Sequence, residues 1–308
     1  MNKTIFILSL ICLALYAAGN DSKIRKQKNK NAPPGTVWVK DSLYMDYGEI
    51  RNIDYREYLY WMKEMYGEES DQYQQSLPDT TVWREKLAYN EPYVNLYLRH
   101  PAYANYPVVG VSYQQAENYC KWRSDRVNES FLIKDKKIVA KDITAFLKDK
   151  NNRPFIDSLI CKNRKVTYRL PTKEEWEFAA NGGEKGRRFP WDGPYLRNYK
   201  GQILANYKRI GDENVYENDS AKLILIVRYE DFIFSPTMDV TAPVTSYWPN
   251  EFGLYNMSGN IAEMISPQGI TKGGSYDMPG FHLRIEVDGK YIGPQKDVGF
   301  RCVCELNY

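Results

Sequence analysis

A chain of 308 residues is long enough for one large domain or two small ones, and its net charge of +3 gives no electrostatic basis for a dedicated nucleic-acid binder. Its 26 tyrosines and 7 tryptophans indicate either a core built with aromatic side chains or a loop-rich architecture with broad contact surfaces. We therefore expect a globular protein whose partners are not nucleic acids.

The N-terminus has the three parts of an export signal. Lys3 supplies the positive charge, residues 5–16 form an apolar run too short to span a bilayer comfortably, and residues 17–19 are small enough for cleavage. Cys12 lies inside the apolar run, so we do not expect lipid attachment there. The segment predicts export to the periplasm or to the periplasmic face of the outer membrane, with peripheral or no direct membrane contact.

The domain organisation follows from composition. We predict a signal peptide at 1–19, a basic polar tether at 20–35 and a folded domain at 36–308 that carries an insertion at about 128–164. The tether is either solvated or attracted to an anionic membrane surface or partner.

Within the domain, hydrophobic periodicity and turn residues predict a modest set of elements. In chain order these are a strand at 37–44, a helix around 53–62, long ordered loops at 67–105, helices that begin after Ser112 and Thr172, a short helix at 143–150 and a strand at 223–227. Gln115 and Glu175 each stand three residues after the hydroxyl residue, which is the capping-box pattern. Few strong helices among many short strands and loops predict one α+β domain.

Four cysteines remain once the signal is removed, namely Cys120, Cys161, Cys302 and Cys304. In an oxidising compartment disulfide pairing is the default, with three connectivities open. Zinc binding is disfavoured because the chain has only two histidines and one residue separates the last two cysteines.

Six motifs in a fixed order resemble the formylglycine-generating, sulfatase-modifying-factor family. They are residues 106–112 with the Tyr-Cys-Lys-Trp helix at 119–122, the Arg-Leu-Pro-Thr-Lys-Glu-Glu-Trp segment at 169–176, Phe-Pro-Trp-Asp-Gly at 189–193, residues 253–263, Gly-Gly-Ser-Tyr at 273–276 and Val-Gly-Phe-Arg-Cys at 298–302. The resemblance covers most of the chain from about residue 40. It implies the irregular, C-type-lectin-like α+β fold of that family.

The resemblance also implies that copper chemistry is lost. Family enzymes follow Gly-Gly-Ser-Tyr with two cysteines that bind copper and oxidise a substrate thiol, and these positions hold Met278 and Leu283 here. Neither a thioether nor an isobutyl group forms a thiolate, so we expect no copper and no catalytic residue of that kind. The three-histidine iron site of a second branch cannot be built from His100 and His282 alone.

Calcium is the cofactor that the resemblance implies. Asn256, Gly259, Ile261 and Glu263 match one calcium site of the family, and the oxygen donors of such a loop suit this cation. A second site matches Asn206 and Tyr207, but Pro236 occupies the position of its aspartate. The alternative is that the asparagines only satisfy loop amides while Glu263 is solvated.

The family also joins the Tyr-Cys-x-Trp helix to the C-terminal Gly-Phe-Arg-Cys strand by a disulfide. Here that implies a Cys120–Cys302 bond, which closes a loop of 302 − 120 = 182 residues. On the chain-entropy account such a bond stabilises the fold by roughly 4–5 kcal/mol.

Within the family, residues 189–198 and 201–207 are most similar to the gliding-motility lipoproteins of the GldJ and GldK type, which belong to type IX secretion in Bacteroidota. The chain is thus expected to be a non-catalytic scaffold or binding component with envelope protein partners. Its expected binding groove contains Met278, Phe281, His282 and Leu283. The alternatives are an oxidoreductase with an atypical site and a calcium-dependent binder of carbohydrate or another small ligand.

Overall fold

The computed structural model describes residues 28–30, 32–86, 88–141, 143–209, 215–217, 223–225 and 240–307. Its main helices are α1 (Asn52–Tyr66), α2 (Asp71–Gln74), α3 (Glu91–Leu96), α4 (Tyr113–Lys134), α5 (Ile143–Lys148), α6 (Arg153–Lys162) and α7 (Lys173–Ala180). Its strands are β1 (Thr36–Lys40), β2 (Leu43–Asp46), β3 (Val166–Arg169), β4 (Val215–Glu217), β5 (Leu223–Leu225), β6 (Ala262–Met264), β7 (Ile270–Lys272), β8 (Gly289–Lys290), β9 (Val298–Gly299) and β10 (Val303–Leu306). The predicted signal peptide and Pro236 lie outside the described residues.

Two small sheets organise the domain. The first has the order β1–β2–β10–β3 with antiparallel neighbours throughout, so the C-terminal strand lies between strands from the start and the middle of the chain. The second has the order β8–β7–β6–β9, and its β6–β9 pair is parallel. This parallel pair brings the chain after residue 256 beside the chain that leads into Arg301, which positions the polar cluster described below.

The strand predicted at 37–44 is two strands. β1 and β2 form an antiparallel hairpin around Asp41, whose φ of +46° lies in the left-handed region. The sequence pattern missed this turn because the segment is short and apolar on both sides. The strand predicted at 223–227 is confirmed in part as β5, which pairs with β4.

Both predicted capping boxes are confirmed. The Ser112 hydroxyl accepts the Gln115 amide at 3.2 Å, and the Gln115 side chain accepts the Ser112 amide at 2.8 Å. Thr172 and Glu175 make the same reciprocal pair at the start of α7. These local hydrogen bonds satisfy amides that have no partner within the helix, and they fix where α4 and α7 begin.

The main core packs α1 and α4 against the first sheet through aromatic rings. Tyr55 of α1 stacks on Tyr119 of α4 with centroids 5.6 Å apart, and Tyr119 meets Phe300 edge-on at 5.5 Å. Cys120 and Cys302 lie in this core as thiols with their Sγ atoms 3.2 Å apart. The contact that the predicted disulfide would bridge is therefore present, and the bond itself stays a prediction.

The region 67–105, expected to be loops, contains short helical segments instead. α2, α3 and two 3₁₀ turns at 80–83 and 101–103 occupy it. Packing of Trp83 on Tyr97, with centroids 4.7 Å apart, helps to hold these turns although their sequence shows no periodicity.

α4 continues without a break to Lys134, so the first residues of the predicted insertion at about 128–164 belong to this helix. Beyond it, α5 and α6 pack on the end of α4 around a separate small core. That core consists of Leu132, Ile138, Ile156 and Ile160. The short helix predicted at 143–150 is confirmed as α5.

The end of the predicted tether lies against the domain. The Asn29 side chain accepts the Trp38 amide at 2.7 Å, and the Pro34 carbonyl accepts the Arg123 guanidinium at 2.8 Å. Packing of the domain thus begins before residue 36. Within the described part of the chain, no helix is both long and apolar enough to cross a membrane.

Candidate functional site: an aromatic groove and a buried polar cluster

The loop after Gly273 and Gly274 carries the positions where cysteines were expected by resemblance. Leu283 is fully buried and packs with Phe189, Ala205 and Tyr207 in a small core of its own. The Ser258 hydroxyl donates to the Leu283 carbonyl at 2.6 Å and holds the turn inward. Leu283 is therefore a core residue, and its prediction as a groove residue is wrong because an isobutyl group gains more from burial than from exposure.

The other three predicted groove residues differ in their exposure. Phe281 is 55% exposed and lines a groove, whereas Met278 and His282 are half-buried. The His282 Nδ1 atom is buried and has no hydrogen-bond partner among the described residues. A side chain at Gly274 would meet the His282 carbonyl at 2.8 Å, so this loop needs glycine at its closest approach.

The groove beside Phe281 has a volume of about 1150 Å³. Its lining comprises Arg188, Phe189, Trp191, Asp192, Gly193, Pro194, Tyr195, Leu196, Arg197, Asn198, Tyr199, Leu204, Tyr207, Gly280, Phe281 and Arg284. Most of these residues come from the turn-rich segment 188–199, which includes the motif at 189–198 but was not predicted to form a groove. The one sequence feature that could have indicated this groove is the series of aromatic residues Phe189, Trp191, Tyr195 and Tyr199.

Rigid stacking shapes the groove wall. Phe189 and Trp191 stack almost in parallel with centroids 5.0 Å apart, and the Trp191 indole donates to the Tyr195 carbonyl at 2.8 Å. Tyr195 and Tyr199 are 74% and 93% exposed, and both line the groove. Large exposed aromatic side chains grouped around a concave surface are typical of a binding site.

A second feature is a buried polar cluster beneath the loop 256–263. Asn206 and Gly259 are brought together here, because the Asn260 amide donates to the Asn206 carbonyl at 2.8 Å and a side chain at Gly259 would lie 2.4 Å from that carbonyl. The Oδ1 atoms of Asn206 and Asn256 are buried and have no partner among the described residues. Buried amide oxygens without donors are costly unless a cation, water or other donor meets them.

The predicted carboxylate ligand, Glu263, is already occupied. Arg301 donates to it through Nε at 2.8 and 2.7 Å and through Nη2 at 2.5 Å, and the Trp176 indole donates at 2.7 Å. Glu263 is thus a partner of Arg301 and brings no uncompensated charge to a cation. Sites with three or more His, Cys, Asp or Glu side chains suited to a metal do not occur among the described residues.

Glu49 is the other acidic member of the cluster, and the sequence motifs do not predict it. Its carboxylate accepts from Asn260 Nδ2 at 2.8 Å and from Asn256 Nδ2 at 3.3 Å. Burial raises the pKa of Glu49 to about 8, with Arg301 opposing and Glu263 adding to the shift. No local pattern marks Glu49, because its partners lie more than 200 residues away.

The fit of the cluster to calcium is therefore partial. The two unpartnered amide oxygens match the hard oxygen donors that calcium takes, while the carboxylate predicted for it is neutralised by Arg301. Tyr207 of the second predicted site is buried and contributes to the groove lining, and the aspartate position of that site, Pro236, is outside the described residues.

These features define the class of protein: an α+β domain with small sheets, capped helices and a turn-rich groove. The chain matches the sulfatase-modifying factor enzyme 1-like domain over residues 14–306, and it belongs to that family. The family and the fold class predicted from the motifs are confirmed.

Similar proteins carry different functional names. The chain is 28% identical to the chaperone protein LppX of Paenibacillus barcinonensis over 64% of its own length and 69% of that protein. It is 25% identical to the formylglycine-generating enzyme of Mus musculus, with 82% of the chain and 55% of the enzyme covered. It is 26% identical to the inactive C-alpha-formylglycine-generating enzyme 2 of Bos taurus, with 53% of the chain and 33% of that protein covered.

The chain therefore spans about half or less of the length of the two mammalian relatives. Among solved structures, CarF aligns with a TM-score of 0.43 and 18% identity over 86% of this chain and 87% of CarF. PvdO from Pseudomonas aeruginosa aligns with a TM-score of 0.39 and 19% identity over 66% and 63%.

Proposed function

We propose that this protein is an exported, non-catalytic member of its family that holds a polypeptide partner in the aromatic groove. In this role it acts as a binding or scaffold component of the bacterial cell envelope, linked to type IX secretion or gliding motility. The observation that carries the proposal is Leu283, which fills a core at the position where the resemblance expects a copper-binding cysteine. Relatives named as a chaperone and as an inactive enzyme support a non-catalytic use of the domain.

The groove offers the kind of surface that protein partners use. Tyr195, Tyr199 and Phe281 expose their rings around a concavity whose wall includes the stacked rings of Phe189 and Trp191. Aromatic anchors in a preformed groove contribute most of the binding energy in many protein interfaces.

The test is site-specific photo-crosslinking in envelope preparations. A photo-reactive phenylalanine analogue at Tyr199 should crosslink to one envelope polypeptide, and the Tyr195→Ala variant in that background should lower the yield about tenfold, as expected for loss of an aromatic hot spot. Tyr89, which is 85% exposed and lies outside the groove, supplies the matched control. Equal yields from positions 89 and 199 would contradict the proposal, as would copper uptake with conversion of a cysteine peptide into an aldehyde.

We also propose that calcium binds at the polar cluster through the side chain of Asn256 and the carbonyls of Gly259 and Ile261, with Asn206 and Tyr207 as a second set. Bound calcium would supply a positive charge to oxygen atoms that have no donor within the described part of the chain. The support is the pair of buried Oδ1 atoms that lack partners among the described residues.

The expected result is a calcium-dependent stability. At a calcium concentration 100 times the Kd, the free energy of unfolding should exceed that in chelator by about 2.7 kcal/mol. Asn256→Gly removes the amide oxygen and tolerates the φ of +50° at this position, so it should abolish the difference. Thermal unfolding curves that coincide in calcium and in chelator would rule out the site.

A further inference from the structure

The groove carries an excess of positive charge. Three arginines and one aspartate line it, namely Arg188, Arg197, Arg284 and Asp192. Among the described residues, none of the three arginines forms an ion pair with a carboxylate, although the chain pairs most of its other buried or half-buried arginines. A concave surface with an excess of one sign of charge concentrates ligands of the opposite sign.

The arginines are partly pre-positioned. Arg197 donates through Nη1 to the Gly201 carbonyl at 2.7 Å, which leaves its other guanidinium donors for a ligand. Arg284 lies over the Phe281 ring with 4.8 Å between the guanidinium carbon and the centroid. A guanidinium supported in this way loses less freedom on binding, and its planar set of donors matches a carboxylate.

In the groove lining, arginine side chains lie next to aromatic rings. Phe281 and Arg284 form one such pair, and Tyr199 stands beside Arg197 within two residues of chain. A ligand that satisfies both must present carboxylates next to apolar side chains at similar spacing. The Asn198 side chain is engaged within its own turn, because its Nδ2 donates to the Gln202 side chain and its Oδ1 accepts the backbone amides of Lys200 and Gln202.

We propose that the groove selects an extended polypeptide segment in which Asp or Glu alternates with aromatic or aliphatic residues. The segment's carboxylates pair with Arg188, Arg197 and Arg284, and its apolar side chains pack on Tyr195, Tyr199 and Phe281. This inference rests on the proposed function and names the chemistry of the partner.

The experiment uses the full chain and three fluorescein-labelled decapeptides with the same phenylalanine and leucine positions. The remaining positions hold glutamate, glutamine or lysine. By fluorescence polarisation the glutamate peptide should bind at least about tenfold more tightly than the glutamine peptide, and its affinity should fall as salt screens the charges. The lysine peptide should bind most weakly.

Charge reversal in the groove provides the decisive variant. Both Arg188 and Arg197 are exposed, so Arg188→Glu/Arg197→Glu should leave the fold intact and reverse the order of the glutamate and lysine peptides. Arg99→Glu changes an exposed arginine outside the groove and should keep the wild-type order. Thermal unfolding verifies that the variants fold.

Two outcomes overturn the inference. One is equal affinity for the three peptides, and the other is that an oligouronate competes with the glutamate peptide at equal concentration, which would assign the groove to an anionic glycan. If the crosslink at Tyr199 to an envelope polypeptide persists in either case, the proposed function stands and only the charge preference fails. Loss of the crosslink itself would remove the proposed function.

Discussion

Replacement of Arg301 by methionine should lower the free energy of unfolding by about 3–5 kcal/mol at pH 8, the range seen when one partner of a buried ion pair is removed. Arg301 is fully buried and pairs with the equally buried Glu263, and it also donates to the carbonyls of Asp46 and Tyr255 at 3.2 and 2.8 Å. Methionine fills a similar volume but leaves the Glu263 carboxylate without a counter-charge in the core. Chemical denaturation in chelator measures the effect.

The stability lost in Arg301→Met should increase with pH. The reason is the raised pKa of Glu49. Burial raises the pKa of Glu49 to about 8, above its ordinary value of 4.5, so the unfolded chain releases this proton first. Stability contributed by the protonated carboxyl is complete below about pH 4.5 and is lost as pH rises to about 8. Arg301 opposes this pKa rise, so Arg301→Met should be more damaging at pH 8 than at pH 5.

Two companion variants make the result interpretable. Arg301→Met/Glu263→Met removes both charges and should be more stable than Arg301→Met alone, because no unpaired carboxylate of that pair remains buried. Arg84→Met breaks an exposed pair with Glu91 and should leave the unfolding curve unchanged within error. If Arg84→Met and Arg301→Met had the same effect, the buried pair would have no special role.

The elements that sequence predicted best are those with local signals. The starts of α4 and α7 follow from side chains three residues apart that bond each other's amides. The helix predicted at 53–62 is confirmed as part of α1, which buries Tyr55 and Tyr58 at helical spacing. Such signals need no knowledge of the rest of the chain.

The candidate site was predicted less well because its contacts are long-range. Glu49 meets Asn256 and Asn260 across more than 200 residues, and nothing near Glu49 marks it as buried. Motif order placed Leu283 at a cysteine position, but an alignment of positions does not say which way a side chain points. In the structure the Leu283 side chain packs in a hydrophobic core, whereas Phe281, two residues earlier, lines the groove.

The predicted Cys120–Cys302 disulfide should contribute about as much stability as the Arg301→Met replacement removes. In protein recovered from an oxidising compartment we expect this pair to be linked, since the two Sγ atoms already lie 3.2 Å apart in a fully packed core. The bond closes a loop of 182 residues, so the oxidised chain should be more stable than the reduced chain by roughly 4–5 kcal/mol on the chain-entropy account. Denaturant unfolding of the same protein with and without reductant isolates this cross-link from any change in packing.

The remaining cysteines supply the controls, because their environments differ. Cys161 is an exposed thiol on α6, whereas Cys304 is buried between Tyr44 and Tyr168 of the neighbouring strands, and burial raises its pKa to about 12. In the folded oxidised protein an alkylating reagent should modify Cys161 alone, and after unfolding without reductant it should modify Cys161 and Cys304 but neither member of the pair. Cys161→Ser should leave stability unchanged, while Cys120→Ala/Cys302→Ala should lose the reductant-sensitive part of the stability. If the reagent modified all four cysteines in the unfolded, unreduced chain, Cys120 and Cys302 would not be linked and the prediction would be wrong.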